Sequence, residues 1–517
     1  MIDRPLRRSA AARRLTAVTA AVVAAALALT GCLYLAIPDA GPADPGAAGT
    51  TEAPGDAEAF YSQSLEWTEC GTGFECTTVL APLDWQNPEE RAIELAVVRA
   101  PASGTDPVGS LLTNPGGPGA SGVGLVQDSL DFAVGEPLQQ AYDVIGFDPR
   151  GVGESTAVTC LDAEAMDAYL YDIPDAPRDS EEWEDELGER NEEFAQACEA
   201  NSDGILEFIT TENSARDMDL LRAVLGDDTL NYLGYSYGTF LGATYAELFP
   251  ENVGRMVLDG AIDPSISGLE VGTTQAIGFE SALRAFMADC LQAAECPFRG
   301  SVDQSMSDLG ALLASVDRSP LPAADGRMLG ADSLMTAVIA ALYSQGNWPI
   351  LRQALADALQ GDPELAFRLA DFYNAREAGE YLDNSTEAFR AYNCMDYPTD
   401  TAEEEEAAEA RIEAEAPTIA PYWSGPDPCD AWPFEPTGTR GEIIAEGAAP
   451  IVVVGTTGDP ATPYEWSVAL ADQLASGVLV TNDGEGHTGY NKGNACVDDA
   501  VEQYLVDGVV PEDGACG

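Results

Sequence analysis

The sequence predicts an α/β fold, in which a mostly parallel sheet carries helices on both faces. Short apolar runs recur along the chain, and most of them end at Gly, Asp or Ser, as buried strands do. The predicted strands are 109–113, 142–147, 229–233, 255–258, 450–454 and 477–480. Helical stretches such as 213–225 and 239–248 alternate with these runs, which is the pattern of parallel strands joined by crossover helices.

Two regions interrupt this alternation. Residues 160–205 are strongly acidic and predicted to be helical, and residues 266–440 are Ala-rich and helix-periodic with few strand signals. We interpret the second region as a helical cap inserted into the sheet domain. The predicted organisation is a signal peptide at 1–31, a flexible tether at 32–59, the first part of the core at 60–265, the cap at 266–440 and the C-terminal part of the core at 441–517.

The N-terminus has the pattern of an export signal. A basic segment precedes an apolar run at 15–30, and a bacterial lipobox pattern follows at 29–32, ending in Cys32. The basic residues are Arg4, Arg7, Arg8, Arg13 and Arg14. We expect Cys32 to carry a diacylglyceryl group and to hold the mature chain on the outside of the cell membrane, because two acyl chains suffice for stable attachment. The alternative is an ordinary signal peptide of a secreted protein, in which Cys32 is incidental.

The charge balance is strongly acidic. There are 88 Asp and Glu residues against 24 Lys and Arg, and the formal net charge is −64. A surface of this kind repels nucleic acid, which we therefore exclude as a partner. We interpret the charge as a solvated surface; a weaker alternative is that it favours cationic substrates, such as peptides with a free amino terminus.

The number of cysteines agrees with export of the chain. Ten of the 11 cysteines follow Cys32, an even number that indicates five disulfides in an oxidising compartment. Pairing of sequence neighbours is the simplest arrangement, namely 70–76, 160–198, 290–296, 394–429 and 496–516. A metal site is not expected, because the sequence has no CxxC pair and a single histidine.

The strongest local motif runs from Gly234 to Gly238, with Ser236 at its centre. It follows an apolar run and precedes a helical segment, which is the context of the nucleophile elbow in an α/β-hydrolase fold. Glycines are needed beside the serine because a Cβ would clash in so tight a turn. Ser236 is therefore the predicted nucleophile; the alternative is a chance match in a loop.

A serine hydroxyl is a weak nucleophile and needs a base within hydrogen-bond reach. His487 is the only histidine, and it lies in a Gly-flanked loop after the apolar run 478–480. The acid that orients the histidine is expected between the two in sequence. Asp459 follows the run 451–454 and is preferred; the rivals are Asp259 and Asp263, which follow the preceding strand.

Acyl transfer also needs donors for the oxyanion of the tetrahedral intermediate. A Gly- and Pro-rich loop at 114–119 follows the early strand 109–113. We predict that the backbone N–H groups of Gly117 and of Tyr237, the residue after the nucleophile, form this oxyanion hole. The alternative is a plain Gly/Pro loop.

Four segments of the chain resemble the secreted tripeptidyl aminopeptidases of actinobacteria, which are α/β hydrolases related to prolyl iminopeptidase. They read NPGGPGASG, FDPRGVGES, LGYSYGTFLGATYAELFP and VGTTGDPATP. The resemblance covers about residues 65–517 and is more specific in the core than in the cap. Asn114-Pro115 stands where prolyl iminopeptidases carry His-Gly, which favours the tripeptidyl branch.

The resemblance implies a serine exopeptidase that releases short N-terminal pieces, dipeptides or tripeptides, from peptide substrates without a metal or organic cofactor. Such an enzyme needs a negative group for the substrate ammonium, and Asp396, beside Cys394, is the predicted residue; the alternative is that Asp396 is a surface acid beside a disulfide. One alternative is a carboxylesterase or lipase with the same triad. The other is a catalytically silent lipoprotein that binds peptides.

Overall fold

A computed structural model describes residues 49–517 of the chain. The predicted signal peptide and the predicted lipidation site at Cys32 lie outside this range. Within it, no helix combines the length and the apolar character needed to cross a membrane.

The described residues contain a central sheet of ten strands. Its strands are β1 (Thr51–Glu52), β2 (Thr68–Gly71), β3 (Phe74–Pro82), β4 (Arg91–Ala100), β5 (Gly109–Asn114), β6 (Tyr142–Phe147), β7 (Leu230–Tyr235), β8 (Val253–Asp259), β9 (Ile451–Gly458) and β10 (Gly477–Glu485). Their spatial order is β10-β9-β8-β7-β5-β6-β4-β3-β2, and β1 pairs with β4. The six strands from β10 to β6 are parallel, and the remaining pairs are antiparallel.

The parallel block contains all six predicted strands, whereas β2, β3 and β4 are absent from the prediction. In β4 the charged residues Arg91, Glu94 and Arg99 interrupt the apolar run, and buried positions interleave with partly exposed ones. Continuous apolar runs arise only in strands that are covered on both faces. The antiparallel end of the sheet therefore gives a weaker signal in the sequence than the parallel centre does.

Helices cover both faces of the sheet, as predicted. Those before β8 are α1 (Ala57–Tyr61), α2 (Gly122–Ala133), α3 (Glu136–Ala141), α4 (Ala163–Tyr171), α5 (Glu181–Asn201), α6 (Thr211–Leu225) and α7 (Tyr237–Leu248). Those between β8 and β9 are α8 (Gly268–Cys290), α9 (Val302–Arg318), α10 (Ala331–Leu342), α11 (Trp348–Ala358), α12 (Glu364–Tyr373), α13 (Ser385–Asp396) and α14 (Ala402–Glu415). After β9 come α15 (Tyr464–Gln473) and α16 (Ala495–Asp507). Helices α6 and α7 share one apolar core with the sheet, and α2 and α16 share the core on its other face.

The segment between β8 and β9 contributes no strand to the central sheet. Its helices α8 to α12 have an apolar core of their own, which includes Phe286, Leu313, Val338, Leu351 and Phe367. Two short hairpins lie between these helices, Leu321–Pro322 with Met328–Leu329 and Arg376–Glu377 with Glu380–Tyr381. The predicted cap boundaries at 266 and 440 stay a prediction, and the helical character expected for this segment is present.

The predicted tether is ordered over part of its length. Strand β1 pairs with Arg91 and Ala92 of β4, and α1 begins at Ala57, within the 32–59 range that we assigned to the tether. The backbone of β1 gains hydrogen bonds to the start of β4, and the neighbouring Phe60 is fully buried. A composition rich in Pro, Gly and acidic residues thus overestimates the length of flexible chain.

Five disulfides join the ten described cysteines. The pairs are Cys70–Cys76, Cys160–Cys198, Cys290–Cys296, Cys394–Cys429 and Cys496–Cys516. The expected pairing of sequence neighbours is therefore confirmed. Bonds of this kind persist in oxidising compartments, which agrees with export of the chain.

Candidate active site

Ser236 lies on the turn between β7 and α7, at the carboxyl edge of the parallel strands. Its backbone has φ 53° and ψ −124°, with a positive φ that L-residues rarely adopt, and its N–H donates to the carbonyl of Asp259 at 2.9 Å. A Cβ on Gly234 would come within 2.5 Å of the Gly238 carbonyl oxygen, so this turn requires glycine. The turn places Ser236 in the wall of a cleft above the sheet, at the N-terminus of α7.

His487 follows β10 and lines the same cleft as Ser236. Its Nδ1 lies 2.9 Å from each carboxylate oxygen of Asp459. The backbone N–H of His487 donates to the Tyr343 carbonyl at 2.8 Å, and the Tyr343 ring contacts the imidazole edge to face. The second ring nitrogen, Nε2, is buried and has no hydrogen-bond partner within residues 49–517. The structure thus brings His487 and Asp459 together and leaves Nε2 available to a substrate or a serine hydroxyl.

Asp459 is held by donors from its own loop. Its carboxylate accepts hydrogen bonds from the backbone of Ala461 and Thr462 at 2.9 Å, from Thr462 Oγ1 at 3.0 Å and from the Thr488 backbone at 3.1 Å. These bonds fix the carboxylate toward His487. The same carboxylate acts on the imidazole: burial lowers the pKa of His487, but the charge and hydrogen bond of Asp459 outweigh burial, and the pKa lies above its usual value.

Thr462 is a site residue that the sequence reasoning missed. Its Oγ1 lies 3.0 Å from Asp459 Oδ2 and 3.2 Å from His487 Nδ1, so it touches both partners of the ion pair. The available signal was its position three residues after Asp459 in an Asp-Pro-Ala-Thr turn, where an Asp side chain commonly accepts from the following backbone.

The two rival acids serve other partners. Asp259 accepts hydrogen bonds from the backbone of Gly489 at 2.8 Å and of Tyr490 at 2.8 Å, and burial raises its pKa to about 6. Asp263 accepts from Ser265 and from Gln473. Neither contacts the His487 ring through a hydrogen bond, whereas Asp459 does. Asp259 instead holds the loop that carries His487.

The loop after β5 packs directly against the nucleophile turn. A Cβ on Gly116 would lie 2.8 Å from Ser236 Cβ, so glycine permits this approach. The N–H of Gly116 donates to Asn114 Oδ1 at 3.0 Å, whereas within residues 49–517 the N–H groups of Gly117 and Tyr237 have no acceptor. The two predicted oxyanion donors are therefore both unpaired, on segments that touch each other.

The cleft is large and its walls come from both parts of the chain. Its volume is about 2340 Å³, well above the roughly 300–1,000 Å³ of ordinary small-molecule sites. Segments between β8 and β9 contribute aromatic side chains, which include Tyr343, Phe389 and Trp423. The core contributes Phe132, which is 64% exposed. A site of this size accommodates several residues of an extended peptide.

Asp396 does not line this cleft. It is 3% exposed, and its carboxylate accepts hydrogen bonds from the Thr211 backbone at 2.9 Å and from Thr211 Oγ1 at 2.6 Å. Thr211 Oγ1 also lies 2.5 Å from the Tyr237 hydroxyl. Burial raises the pKa of Asp396 to about 6. The last turn of α13 points inward here, so Asp396 joins α13 to α6 and α7 instead of facing a substrate.

Other carboxylates line the cleft, and one of them is Asp383. It is the one closest in sequence to Ser385, the residue that contacts the predicted oxyanion loop. A Cβ on Gly119 would lie 2.7 Å from the Ser385 carbonyl oxygen, which shows that the start of α13 packs on that loop. Asp383 lines the cleft two residues before Ser385, and burial raises its pKa. A carboxyl group is therefore present near the site, at a position that no sequence motif selects.

Comparison with known proteins gives a consistent result. A model of the family described as TAP-like protein matches residues 416–516. The chain is 35% identical to serine protease Hip1 of Mycobacterium tuberculosis, with 98% of each chain covered. It is 38% identical to carboxylesterase B of the same organism, with 91% of this chain and 94% of the relative covered. It is 30% identical to tripeptidyl aminopeptidase of Streptomyces coelicolor, with 86% and 84% covered.

Proposed function

The chain belongs to the TAP-like family of α/β hydrolases and is a serine hydrolase, and from that premise we propose that it is an exopeptidase that releases di- or tripeptides from the amino terminus of peptides. The observation that carries the proposal is the arrangement of His487. One ring nitrogen is bound to Asp459 and the other is unpartnered in the cleft that Ser236 lines. This arrangement leaves Nε2 free to accept the hydroxyl proton of Ser236, as a general base must, and the two side chains form no hydrogen bond within residues 49–517.

The reaction proceeds through an acyl-enzyme. Ser236 Oγ attacks the scissile carbonyl carbon as His487 Nε2 takes its proton, and Asp459 stabilises the imidazolium. The N–H groups of Gly117 and Tyr237 bind the oxyanion. Collapse of the intermediate breaks the C–N bond, and His487 gives the proton to the leaving amine. Water then attacks the acyl carbon with His487 again as base, which releases the N-terminal peptide as a carboxylic acid and restores Ser236.

The substrate ammonium is bound by Asp383. Two observations support this role: Asp383 lines the cleft, and Ser385, two residues further on, packs on the oxyanion loop. Asp396, which the sequence predicts for this role, instead accepts hydrogen bonds from Thr211. A carboxylate that binds the substrate ammonium fixes the distance from the amino terminus to the cleaved bond, and that distance sets the number of residues released.

The enzyme acts outside the cytoplasm. The five disulfides support an oxidising compartment, and Cys32 is the proposed point of attachment to the membrane through a lipid.

The test is hydrolysis of matched chromogenic substrates by the purified enzyme. The set contains an amino acid, a dipeptide and a tripeptide arylamide, each with a free and an acetylated amino terminus, and a short-chain ester. We expect cleavage of a free peptide arylamide that is lost on acetylation and in Ser236→Ala. Asp383→Asn should raise KM for free peptides more than for acetylated ones.

A carboxylesterase is the second candidate, because one relative with 38% identity is named carboxylesterase B. Turnover of the ester without turnover of any peptide arylamide would favour it and leave Asp383 without a role. Absence of both activities, together with peptide binding, would favour the silent binding lipoprotein.

A further inference from the structure

Lys492 is the only lysine in the chain, and it lines the catalytic cleft. Among the cleft-lining residues of the described chain, nine are Asp or Glu, and Arg390 and Lys492 are the only Lys or Arg. A cleft of this composition disfavours anions wherever no cation compensates for the carboxylates. The position of Lys492 therefore marks where a negatively charged part of a ligand can bind.

The Lys492 ammonium forms no ion pair within the described part of the chain. No carboxylate of residues 49–517 forms an ion pair with it, and Asp259 and Asp498 act on it through space without contact. Its Nζ sits 3.1 Å from the centroid of the Phe132 ring. An ammonium has three donors, and an aromatic face satisfies one side of it. The remaining donors point away from Phe132 and are available to a ligand.

Hydrogen bonds hold the part of the loop that directly precedes Lys492. Asp259 binds the backbone of Gly489 and Tyr490, and the Asn491 side chain donates to the carbonyls of Asp131 and Phe132 at 2.9 and 3.0 Å. The surrounding protein partly desolvates the ammonium, which lowers the pKa of Lys492 to about 8, although the residue stays accessible from the cleft. A charged group on a braced loop loses less entropy when it binds a ligand than one on a free loop does.

The location of this loop identifies the part of the substrate that reaches it. His487 must give its proton to the leaving nitrogen, so the leaving group lies beside His487. The loop continues from His487, and Lys492 is five residues further on. Asp383, the carboxylate proposed for the ammonium, lies instead in the segment before α13, and the acids of the cleft that precede His487 in its own segment are Asp483 and Glu485.

We propose that Lys492 forms a carboxylate-binding subsite on the leaving-group side of the cleft and selects short peptides that end in a free C-terminal carboxylate. This inference rests on the proposed exopeptidase function. It makes the enzyme selective at both ends of its substrate: one group binds the ammonium, and Lys492 binds the carboxylate of the piece that departs. Oligopeptides left by other peptidases carry both charges, whereas internal segments of a protein chain carry neither.

The test compares peptides that differ only in the charge of the leaving piece. One series has leaving groups of one, two or three residues, each as the free acid and as the C-terminal amide. A second series has the C-terminal amide throughout, with Glu or Gln as the first residue after the scissile bond. We expect kcat/KM to favour the acid over the amide by about tenfold at one leaving-group length, as a single charge-assisted contact predicts. A preference for Glu over Gln without an acid-over-amide preference would assign the subsite to acidic side chains and overturn selection by the C-terminus.

Two variants assign the preference to Lys492. Lys492→Met should abolish the acid-over-amide ratio, and Lys492→Arg should keep most of it. The matched control is Arg390→Gln, which removes the other basic residue of the cleft from α13 and should retain the ratio. Equal rates for acid and amide in the unmodified enzyme, or an unchanged ratio in Lys492→Met, would overturn the proposal.

Binding to Ser236→Ala separates this proposal from the proposed function. The acid peptide should bind this variant more tightly than the amide, and the difference should vanish in Ser236→Ala/Lys492→Met. If the enzyme cleaves arylamides but no binding difference exists, only the Lys492 subsite is wrong. If no peptide is cleaved but the binding difference holds, the exopeptidase function is wrong and the carboxylate subsite stands.

Discussion

At the scale of single residues, the environment of His487 depends on one carboxylate. Asp459 binds Nδ1 through both oxygens, and it is the main influence that raises the pKa of the imidazole against the effect of burial. Because the folded-state pKa is raised, the neutral base is lost as the pH falls through that value. The acid limb of kcat/KM should therefore lie above the usual histidine range near pH 6.5.

Removal of the Asp459 charge should lower the pKa of His487. We expect Asp459→Asn to move the imidazole titration to lower pH and to reduce kcat by about 10⁴-fold, the effect known for a triad aspartate. Since His487 is the only histidine, its ring signals in an NMR titration need no assignment. Asp427→Asn removes another carboxylate of the cleft and serves as control. An unmoved titration in Asp459→Asn would refute the assigned pair.

Thr462 positions this pair without reacting itself. Its hydroxyl contacts Asp459 Oδ2 and His487 Nδ1. We expect Thr462→Val to lower kcat by about fivefold with little change in KM, because the loss of one hydrogen bond near 1 kcal/mol loosens the orientation of the carboxylate. Thr462→Ser keeps the hydroxyl and should recover most of the rate. A change confined to KM would contradict a positioning role.

At the scale of elements, a buried ion pair joins the loop after β6 to α6. The guanidinium of Arg150 binds both oxygens of Asp217 at 2.7 and 2.8 Å, and the two side chains are 1% and 0% exposed. Trp85 Nε1 donates to the same carboxylate at 3.0 Å. A paired charge this deep is costly to leave alone. The ion pair therefore fixes the position of α6 relative to the loop after β6. Helix α6 also carries Thr211, which binds Asp396.

Loss of this pair should destabilise the fold strongly. We expect Asp217→Ala to lower the free energy of unfolding by about 3–5 kcal/mol, because it strands a buried guanidinium. On the same helix, Glu212 pairs with Arg216 at the surface, and Glu212→Ala should cost only about 0.5 kcal/mol. Denaturant unfolding followed by circular dichroism measures both. Similar losses of unfolding free energy in the two variants would show that the buried ion pair contributes no more stability than the surface pair.

Two chains of buried hydrogen bonds tie the candidate site to its surroundings. One leads from Asp396 through Thr211 to the Tyr237 hydroxyl, so α13 contacts the residue whose N–H is a proposed oxyanion donor. The other leads from Asp259 to the backbone at Gly489 and Tyr490 in the loop of His487. Both acids therefore brace segments that carry proposed catalytic groups, and neither lines the cleft.

At the scale of the whole molecule, buried carboxylic acids determine how stability varies with pH. Burial raises the pKa of Asp148, Asp259 and Asp396 from 3.8 to about 6, and that of Glu387 from 4.5 to about 7. The native state keeps these protons where the unfolded chain releases them. Stability that these groups contribute is complete below about pH 4 and is lost as the pH rises through about 6 to 7.

The melting temperature should therefore fall between about pH 5 and about pH 7.5. Acids whose pKa is lowered by partners, such as Asp167 beside Arg376, act in the opposite direction, but only below their usual range. Calorimetry across this window measures the slope, and Glu387→Gln should make it shallower. A melting temperature that rises steadily up to pH 7.5 would contradict the assignment of these buried acids.

Local patterns in the sequence were sufficient for several features. The nucleophile turn depends on glycines that flank Ser236 within two residues, and the disulfides join cysteines that are neighbours among the cysteines of the chain. Parallel strands gave continuous apolar runs because both of their faces are covered. The predicted triad of Ser236, Asp459 and His487 rests on one elbow, one strand end and a single histidine, and the structure brings Asp459 and His487 into contact.

Only the tertiary structure decided the roles that depend on distant contacts. Asp396 and Thr211 are 185 residues apart, and their hydrogen bond buries a carboxylate that the sequence placed in a substrate site. Lys492 contacts the ring of Phe132, which is far from it in sequence, and Thr462 in the loop after β9 contacts His487 in the loop after β10. The type of a residue determines which hydrogen bonds it can donate or accept. Its burial and its partners depend on packing between segments that are far apart in the chain. Burial and partners therefore determine whether a polar side chain supports the fold or can contact a substrate.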